Sequence, residues 1–257
     1  MHIHLFKCAG STFAASLAHN FNEEFRCIEP KTEKFLDWEL VMQTMASSKW
    51  RAMSSHSLRI PESRPKGYMF VALVRNPSER LISAWKFQTD VQKISTGSFS
   101  SYLKKHPEQR NVQSLFLYDS KISDGLDFKE IGNQSFEFFR HQLNVFLGVV
   151  DRYDETMTVL EKLLSLNLLN VDLSYPRVIN KNEESQLTPD VTVPDDYIRQ
   201  DEALYRAANF YLDLQISLIP NFKDLLGEFR ARCKLHKLSQ DEFASKISNE
   251  NWHLIEN

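Results

Sequence analysis

The sequence has few cysteines, no long apolar run and no excess of positive charge. Its three cysteines, Cys8, Cys27 and Cys233, are odd in number and far apart, which argues against a disulfide scaffold. The longest apolar run, residues 69–74, is too short to span a bilayer. The first residues lack the charged region, apolar stretch and cleavage site of a signal peptide. We therefore expect a cytoplasmic protein with no transmembrane segment.

Composition and charge limit the function classes further. The 257 residues, 42% of them hydrophobic, fit one large α/β domain or two small ones. A net charge of −3 argues against a nucleic-acid-binding protein, which is usually basic. There is no internal repeat, low-complexity tract or linker, so we predict one domain over residues 1–257, with no element assigned in the tail after about residue 233. The basic stretch 49–80 predicts either a solvated face or an anion-binding wall.

A strand, a turn and a helix follow one another twice, which is typical of an α/β sheet with crossover helices. Residues 1–6 predict a short strand and residues 13–21 a helix. Residues 68–74 form a near-continuous apolar run that suits a central parallel strand, and Pro77 then opens a helix. Further strands are predicted at 25–28 and 146–150. Further helices are predicted at 37–45, 99–105, 136–146, 156–166, 198–212 and 216–232.

The turn after the first strand has the composition of a phosphate cradle. Gly10 allows close backbone approach, Ser11 and Thr12 add hydroxyl donors, and Lys7 adds a positive charge at the lip. The nucleotide-kinase pattern G-x-x-x-x-G-K-[ST] is absent, because the lysine precedes a single glycine. The spacing alone is equally compatible with an ordinary strand-to-helix turn and a solvent-exposed lysine.

A second candidate site follows the central strand. Arg75 directly follows the apolar run, at the sheet edge where open α/β proteins bind ligands. Its guanidinium can bind a phosphate by donating two hydrogen bonds to it. Ser83 lies two helical turns further and shares a face with Glu79. The alternative is that Arg75 and Arg80 merely pair with acids such as Glu79.

Taken together, these segments resemble the carbohydrate sulfotransferases, in particular heparan sulfate 2-O-sulfotransferases and related bacterial enzymes. Residues 4–13 read H-L-F-K-C-A-G-S-T-F against the family's H-I-P-K-T-A-G-T-T-L, and residues 70–85 resemble F-x-x-L-R-D-P-x-E-R-L-x-S-x-Y. Residues 55–56 stand where the family has Gly-His, and 111–117, 149–155, 180–182 and 201–205 resemble later elements. The departures are Phe6 for proline, Cys8 for threonine, Ser55 for glycine and Asn76 for aspartate.

The resemblance implies a P-loop-like three-layer α/β fold, with a central parallel sheet flanked by helices, and 3′-phosphoadenosine 5′-phosphosulfate as donor. By match, Arg75 and Ser83 hold its 3′-phosphate, and Lys181 is a candidate to close over the nucleotide. His56 is the candidate general base, with Glu29 in reserve, and no metal is expected. The residues that cradle the 5′-phosphosulfate, led by the catalytic Lys7, are Lys7, Cys8, Ala9, Gly10, Ser11, Thr12 and Phe13.

The acceptor implied by the resemblance is a hydroxyl group, favoured on a saccharide. Two other readings stay open at this point. One is a P-loop phosphotransferase, which needs Mg²⁺ and a nucleoside triphosphate. The other is a nucleotide- or glycan-binding module without turnover. The sequence does not predict an oligomeric state.

Overall fold

A parallel sheet forms the centre of the computed structural model, which describes residues 1–31, 35–60, 66–94, 97–117, 144–167, 169–177, 191–236 and 252–255. The strands of this described part are β1 (His2–Ile3), β2 (Phe25–Pro30), β3 (Ala52–Ser55), β4 (Phe70–Val74), β5 (Val145–Val149) and β6 (Trp252–Ile255). Their order in the sheet is β5-β4-β1-β3-β2-β6, and every neighbouring pair is parallel.

Helices cover the sheet and complete a three-layer α/β fold, as predicted. Right-handed crossovers that run in opposite directions along a sheet place their helices on opposite faces. The helix α1 (Gly10–Phe21) leads from β1 toward β2, whereas α2 (Trp38–Ser47) leads back from β2 to β3, so the rule places these two helices on opposite faces of the sheet. None of the described helices is both long and apolar enough to cross a membrane. The helices are α1 (Gly10–Phe21), α2 (Trp38–Ser47), α3 (Pro77–Lys86), α4 (Phe99–Lys105), α5 (Val112–Leu117), α6 (Tyr153–Leu166), α7 (Asp195–Leu218) and α8 (Phe222–Leu235).

Most predicted elements are confirmed, with shifted ends. The predicted strands at 25–28, 68–74 and 146–150 correspond to β2, β4 and β5. The strand predicted at 1–6 is only two residues long, because the chain turns away from the sheet after His4, where the Leu5 amide donates to the Ile3 carbonyl at 3.0 Å. The helix predicted at 136–146 lies mainly outside the described residues, and its last two residues belong to β5. The helix predicted at 216–232 is wrong at its start, because residues 219–221 separate α7 from α8.

Away from the carboxyl edge of the sheet, Asp172 ties the segment 169–177 to α1 and α8. Its amide donates to Oδ1 of Asn20 at 2.7 Å, and the Asn20 amide donates back to its carbonyl at 2.7 Å. Its carboxylate lies 2.9 Å from Nε2 of His236 and accepts the Ser174 amide at 3.0 Å. Burial raises the pKa of Asp172, but the hydrogen bonds from Ser174 and His236 outweigh it and hold the pKa below its ordinary value.

Candidate active site

The carboxyl ends of β3, β1 and β4 lie side by side, because β1 pairs with both of the others. The chain leads from β1 toward β2 on one side of the sheet and from β4 to β5 on the other. In open α/β sheets, ligands bind in the crevice at such a switch point. The segments picked out in the sequence begin at this crevice: the loop after Ile3, residues 55–56 and Arg75.

The loop after β1 has the backbone shape of an anion site. Lys7 (φ 64°) and Ala9 (φ 56°) are left-handed, and α1 then begins at Gly10. Left-handed residues alternating with other conformations turn successive N–H groups into one concave row. Ala9 is the N-cap of α1, and its methyl group cannot accept a hydrogen bond from the amides of the first turn. Within the helix, the first-turn amides have no carbonyl acceptor either. The loop therefore fits a phosphate or a similar anion.

The packing of His4 against α1 requires glycine at position 10. A Cβ atom at position 10 would lie 1.9 Å from Cδ2 of His4, far inside van der Waals contact. The space that any other side chain needs is thus filled by the His4 imidazole, which is 8% exposed. This packing is a requirement for glycine in addition to the predicted close approach of the backbone to a ligand, which stays a prediction.

Lys7 rests on an aromatic ring at the mouth of the loop. Its Nζ lies 4.7 Å from the centroid of Phe87, and Phe6 packs edge-on against the same ring with centroids 5.6 Å apart. Phe87 begins a π-helical turn, Phe87–Val91, that follows α3, and such turns are frequent at functional sites. Cation–π contacts at partly exposed sites stabilise by only about 0.5–1 kcal/mol. Lys7 can therefore leave this ring for a bound anion.

Two residues of the predicted cradle, Cys8 and Phe13, face the interior. The Cys8 thiol donates to Oε1 of Gln113 at 3.4 Å, and the Cys8 amide donates to the Leu5 carbonyl at 3.2 Å. Burial raises the pKa of Cys8 to about 12, so the thiol stays protonated at neutral pH. The Phe13 ring packs edge-on against His2, with centroids 4.8 Å apart. The side chains of Cys8 and Phe13 thus anchor the loop to the core.

Gln113, on α5, fixes the main chain of Arg75. Its Oε1 accepts the Arg75 amide at 2.8 Å, and its Nε2 donates to the Arg75 carbonyl at 3.0 Å. The same Oε1 accepts the Cys8 thiol, so one buried amide joins the end of β4 to the loop after β1. Sequence reasoning placed Gln113 in a family-like element but gave it no role.

Asp201, on α7, closes the same network from the other side. Its carboxylate accepts the Ser114 amide at 2.8 Å and the Gln113 amide at 3.3 Å, at the start of α5. Burial raises the pKa of Asp201, and the nearby Arg80 guanidinium opposes this shift. Arg80 is itself buried, and it donates to the side chain and carbonyl of Gln109 at 3.0 Å each. Arg80 is therefore a structural residue and not the partner of Glu79.

The Arg75 side chain lies at the edge of the crevice. Its Nε is 3.5 Å from Oε2 of Glu79, long for a charge-assisted contact, and the two side chains are 11% and 45% exposed. Asn76, which replaces the family's aspartate, still caps α3 by accepting the Glu79 amide at 3.2 Å. Ser83 lies further along α3 and is buried.

The two candidate bases, His56 and Glu29, are in direct contact. Oε1 of Glu29 accepts the main-chain amide of His56 at 2.6 Å. Nδ1 of His56 lies 3.0 Å from the carbonyl oxygen of His4. Because a carbonyl only accepts, Nδ1 carries the hydrogen and Nε2 of the neutral ring keeps its lone pair. In this tautomer Nε2 is the ring nitrogen that can accept a hydrogen bond or a proton, and the role of His56 as a base stays a prediction.

The basic stretch 49–80 does not form one anion-binding wall. Lys49 and Arg51 precede β3 and therefore lie at the amino end of the sheet, opposite to Arg75. They pair with Glu23 and Glu24, at 2.9 and 3.4 Å, on exposed surface. The solvated-face interpretation therefore holds for the beginning of the stretch.

Lys181, predicted to close over the nucleotide, lies outside the described residues. So do Asn180 and Asn182 of the same family-like element. Among the residues with described positions, no group of three or more His, Cys, Asp and Glu side chains is arranged to hold a metal ion.

Comparison with known proteins supplies an independent line of evidence. No curated protein sequence matches the chain. A family model described as the sulfotransferase family matches residues 1–147, more than half of the sequence. The matched region contains the loop after β1, both candidate bases, Arg75 and Gln113. It supports sulfuryl transfer in general and leaves the 2-O-sulfotransferase subgroup as a prediction. The chain therefore belongs to the sulfotransferase family.

Proposed function

We propose that this protein transfers a sulfuryl group from 3′-phosphoadenosine 5′-phosphosulfate to an acceptor hydroxyl on a carbohydrate. The observation that carries the proposal is the meeting of three segments at neighbouring strand ends: the loop with Lys7, the imidazole of His56 and the guanidinium of Arg75. They offer an anion cradle, a base and a second anion contact at one crevice. The strand β6 pairs with β2 in the same sheet, which supports treating residues 1–257 as one domain.

The loop after β1 suits the 5′-phosphosulfate end of the donor. When bound, the donor supplies the sulfuryl group and a phosphate leaving group, which gains negative charge as the S–O bond breaks. Fixed N–H groups at the start of α1 stabilise such charge without reorganisation. Lys7 adds a mobile ammonium, which reaches the loop by leaving the Phe87 ring. Ser11, on the exposed side of the first turn, adds a hydroxyl donor.

The Arg75 end of the crevice suits the 3′-phosphate. Gln113 holds the Arg75 main chain at both its amide and its carbonyl, so the side chain that carries the guanidinium begins at a fixed main-chain position. A phosphate with two negative charges attracts this guanidinium more strongly than the half-exposed Glu79 does. Ser83, from α3, is proposed to add a hydroxyl donor.

His56 is proposed to accept the proton of the acceptor hydroxyl at Nε2. In the neutral ring, the hydrogen bond from Nδ1 to the His4 carbonyl leaves Nε2 as the nitrogen that can accept a proton. Glu29 holds the main chain of His56 through one carboxylate oxygen. We therefore assign Glu29 to orienting His56, and a role as the base itself is its alternative.

A ligand panel followed by a transfer assay tests this function. A ligand that binds only the folded protein raises the melting temperature with its affinity and concentration. We expect 3′-phosphoadenosine 5′-phosphate to raise it more than ATP with Mg²⁺ does, and labelled donor to label a member of a glycan panel. A larger shift with ATP and Mg²⁺ would contradict the proposal and favour a phosphotransferase.

Variants of His56 and Glu29 then show which of the two residues is the base and which one orients it. We expect His56→Ala to lose about 10²–10⁴-fold in rate while it still binds the nucleotide product. If His56→Ala keeps its rate and Glu29→Gln loses it, Glu29 is the base. His106→Ala is the matched control, because His106 pairs with Glu108 at 2.8 Å outside the crevice.

A further inference from the structure

We propose that His4 is a positioning residue, which holds the imidazole of His56 in one orientation and as its Nδ1–H tautomer. The inference rests on the proposed function only where it names His56 as the base. The packing of the two rings is independent of the reaction. His4 is the first residue of the family-like motif at residues 4–13, and its residue type alone predicts no role there.

The register of β1 and β3 brings the two histidines together. His2 pairs with Ser54 and Ile3 with Ser55, so the next pair in register is His4 with His56. The His4 amide donates to the Ser55 carbonyl at 2.9 Å, which extends the ladder beyond the end of β1. Because paired residues of parallel strands point to the same face of the sheet, the two imidazoles meet on that face.

The His4 and His56 rings are stacked. Their centroids are 3.8 Å apart and their planes are inclined by 29°. The ring of His2 continues the stack, with its centroid 5.1 Å from that of His4. Gly10 supports His4 closely enough that a Cβ there would overlap the ring. His4 is thus wedged between the start of α1 and His56, and its position depends on both.

His4 restrains His56 in two ways at once. Its carbonyl accepts the Nδ1–H of His56 at 3.0 Å, and its ring covers one side of the same imidazole. A rotation of the His56 ring gives up the hydrogen bond and the stacking together. Burial, with a smaller contribution from His56, lowers the pKa of His4 well below its ordinary value, so a neutral ring lies against the base.

The tautomer of His56 can be measured without any ligand. We compare the wild-type protein with His4→Leu, which keeps the main-chain carbonyl but lacks a flat ring, and with His4→Phe, which restores one. The ¹⁵N chemical shifts of the His56 ring distinguish the Nδ1–H from the Nε2–H tautomer. We expect the Nδ1–H form in the wild type and in His4→Phe, and a mixture of both forms in His4→Leu.

Turnover gives a second readout. We expect His4→Leu to lower kcat by about 10- to 100-fold, less than the loss of the base itself, with the KM for the donor little changed. His4→Phe should recover most of this loss, and His106→Leu should change neither kcat nor the His56 spectrum. If His4→Leu does not fold, His4→Met takes its place, since it also lacks a ring.

Two outcomes would overturn the proposal. One is an unchanged His56 tautomer and kcat in His4→Leu, and the other is a His4→Phe variant as impaired as His4→Leu. Failure of the proposed function has a different signature. A wild-type protein that transfers no sulfuryl group would refute sulfuryl transfer, while the ligand-free spectra would still report whether His4 orients His56.

Discussion

Replacement of Gln113 by leucine tests how the two halves of the crevice are joined. Leucine fills a similar volume but can neither accept the Arg75 amide nor donate to the Arg75 carbonyl, which Gln113 contacts at 2.8 and 3.0 Å. The thiol of Cys8 loses its contact with Gln113 as well and keeps the Phe6 carbonyl, at 3.7 Å, as an acceptor. Each buried polar group that loses its partner costs about 1–3 kcal/mol. The two Arg75 groups alone thus predict a loss of about 2–6 kcal/mol in the free energy of unfolding.

This loss is measurable by denaturation. For a chain of this size, 1 kcal/mol corresponds to about 2–4 °C in Tm, so Gln113→Leu should lower Tm by about 4–24 °C. The same variant should weaken 3′-phosphoadenosine 5′-phosphate, because Arg75 loses its fixed main chain. Gln43→Leu, the same substitution at an exposed position of α2, is the control and should stay within about 0.5 kcal/mol of wild type. A Gln113→Leu protein as stable as this control would refute the reasoning.

Three further results are expected. Lys7→Ala should lower kcat by about 10²–10³-fold with little change in stability, since it removes a donor from the leaving group; turnover near that of the wild type would exclude Lys7 from the chemistry. Arg75→Ala should weaken 3′-phosphoadenosine 5′-phosphate by about 10- to 150-fold but hardly affect adenosine 5′-phosphosulfate, and equal weakening in binding assays would contradict a 3′-phosphate contact. Asp172→Asn should remove part of the acid dependence of stability. The folded pKa of Asp172 lies below the unfolded value of about 3.9, so the stabilisation by this carboxylate is present above that pH and is lost as pH falls through the folded pKa. Urea unfolding at several pH values measures how the free energy of unfolding depends on pH. The same dependence in Asp172→Asn and in the wild type would contradict this prediction.

The sequence predicted the elements in which local and tertiary requirements agree. β4 is an unbroken apolar run that is buried along its whole length, so composition alone identifies it. Pro77 marks the start of α3 because it lacks the N–H group that would have no acceptor within the helix at that position. The small residues and the lysine of the loop after β1 predict an anion site, and the left-handed backbone of Lys7 and Ala9 is compatible with that interpretation, which stays a prediction.

Other features depend on partners far along the chain, which a local pattern does not reveal. β3 was not predicted because its sequence, A-M-S-S, is half polar, and Ser54 is accommodated in the buried sheet by a 2.9 Å hydrogen bond with His2. The role of Gln113 depends on Arg75 and Asp201, which are distant in sequence. The contact between His4 and His56 follows from strand register, which becomes visible only once β1 and β3 are paired.

The pairing of β2 with β6 has a consequence for biosynthesis. β2 is made long before its outer neighbour, Trp252–Ile255, which emerges from the ribosome after all the other described elements. Throughout translation, β2 therefore presents a row of unpaired N–H and C=O groups, a surface that readily recruits a strand from another nascent chain. Polysomes that carry many copies of this protein should favour such pairing, and a ribosome stalled before codon 252 should prolong it.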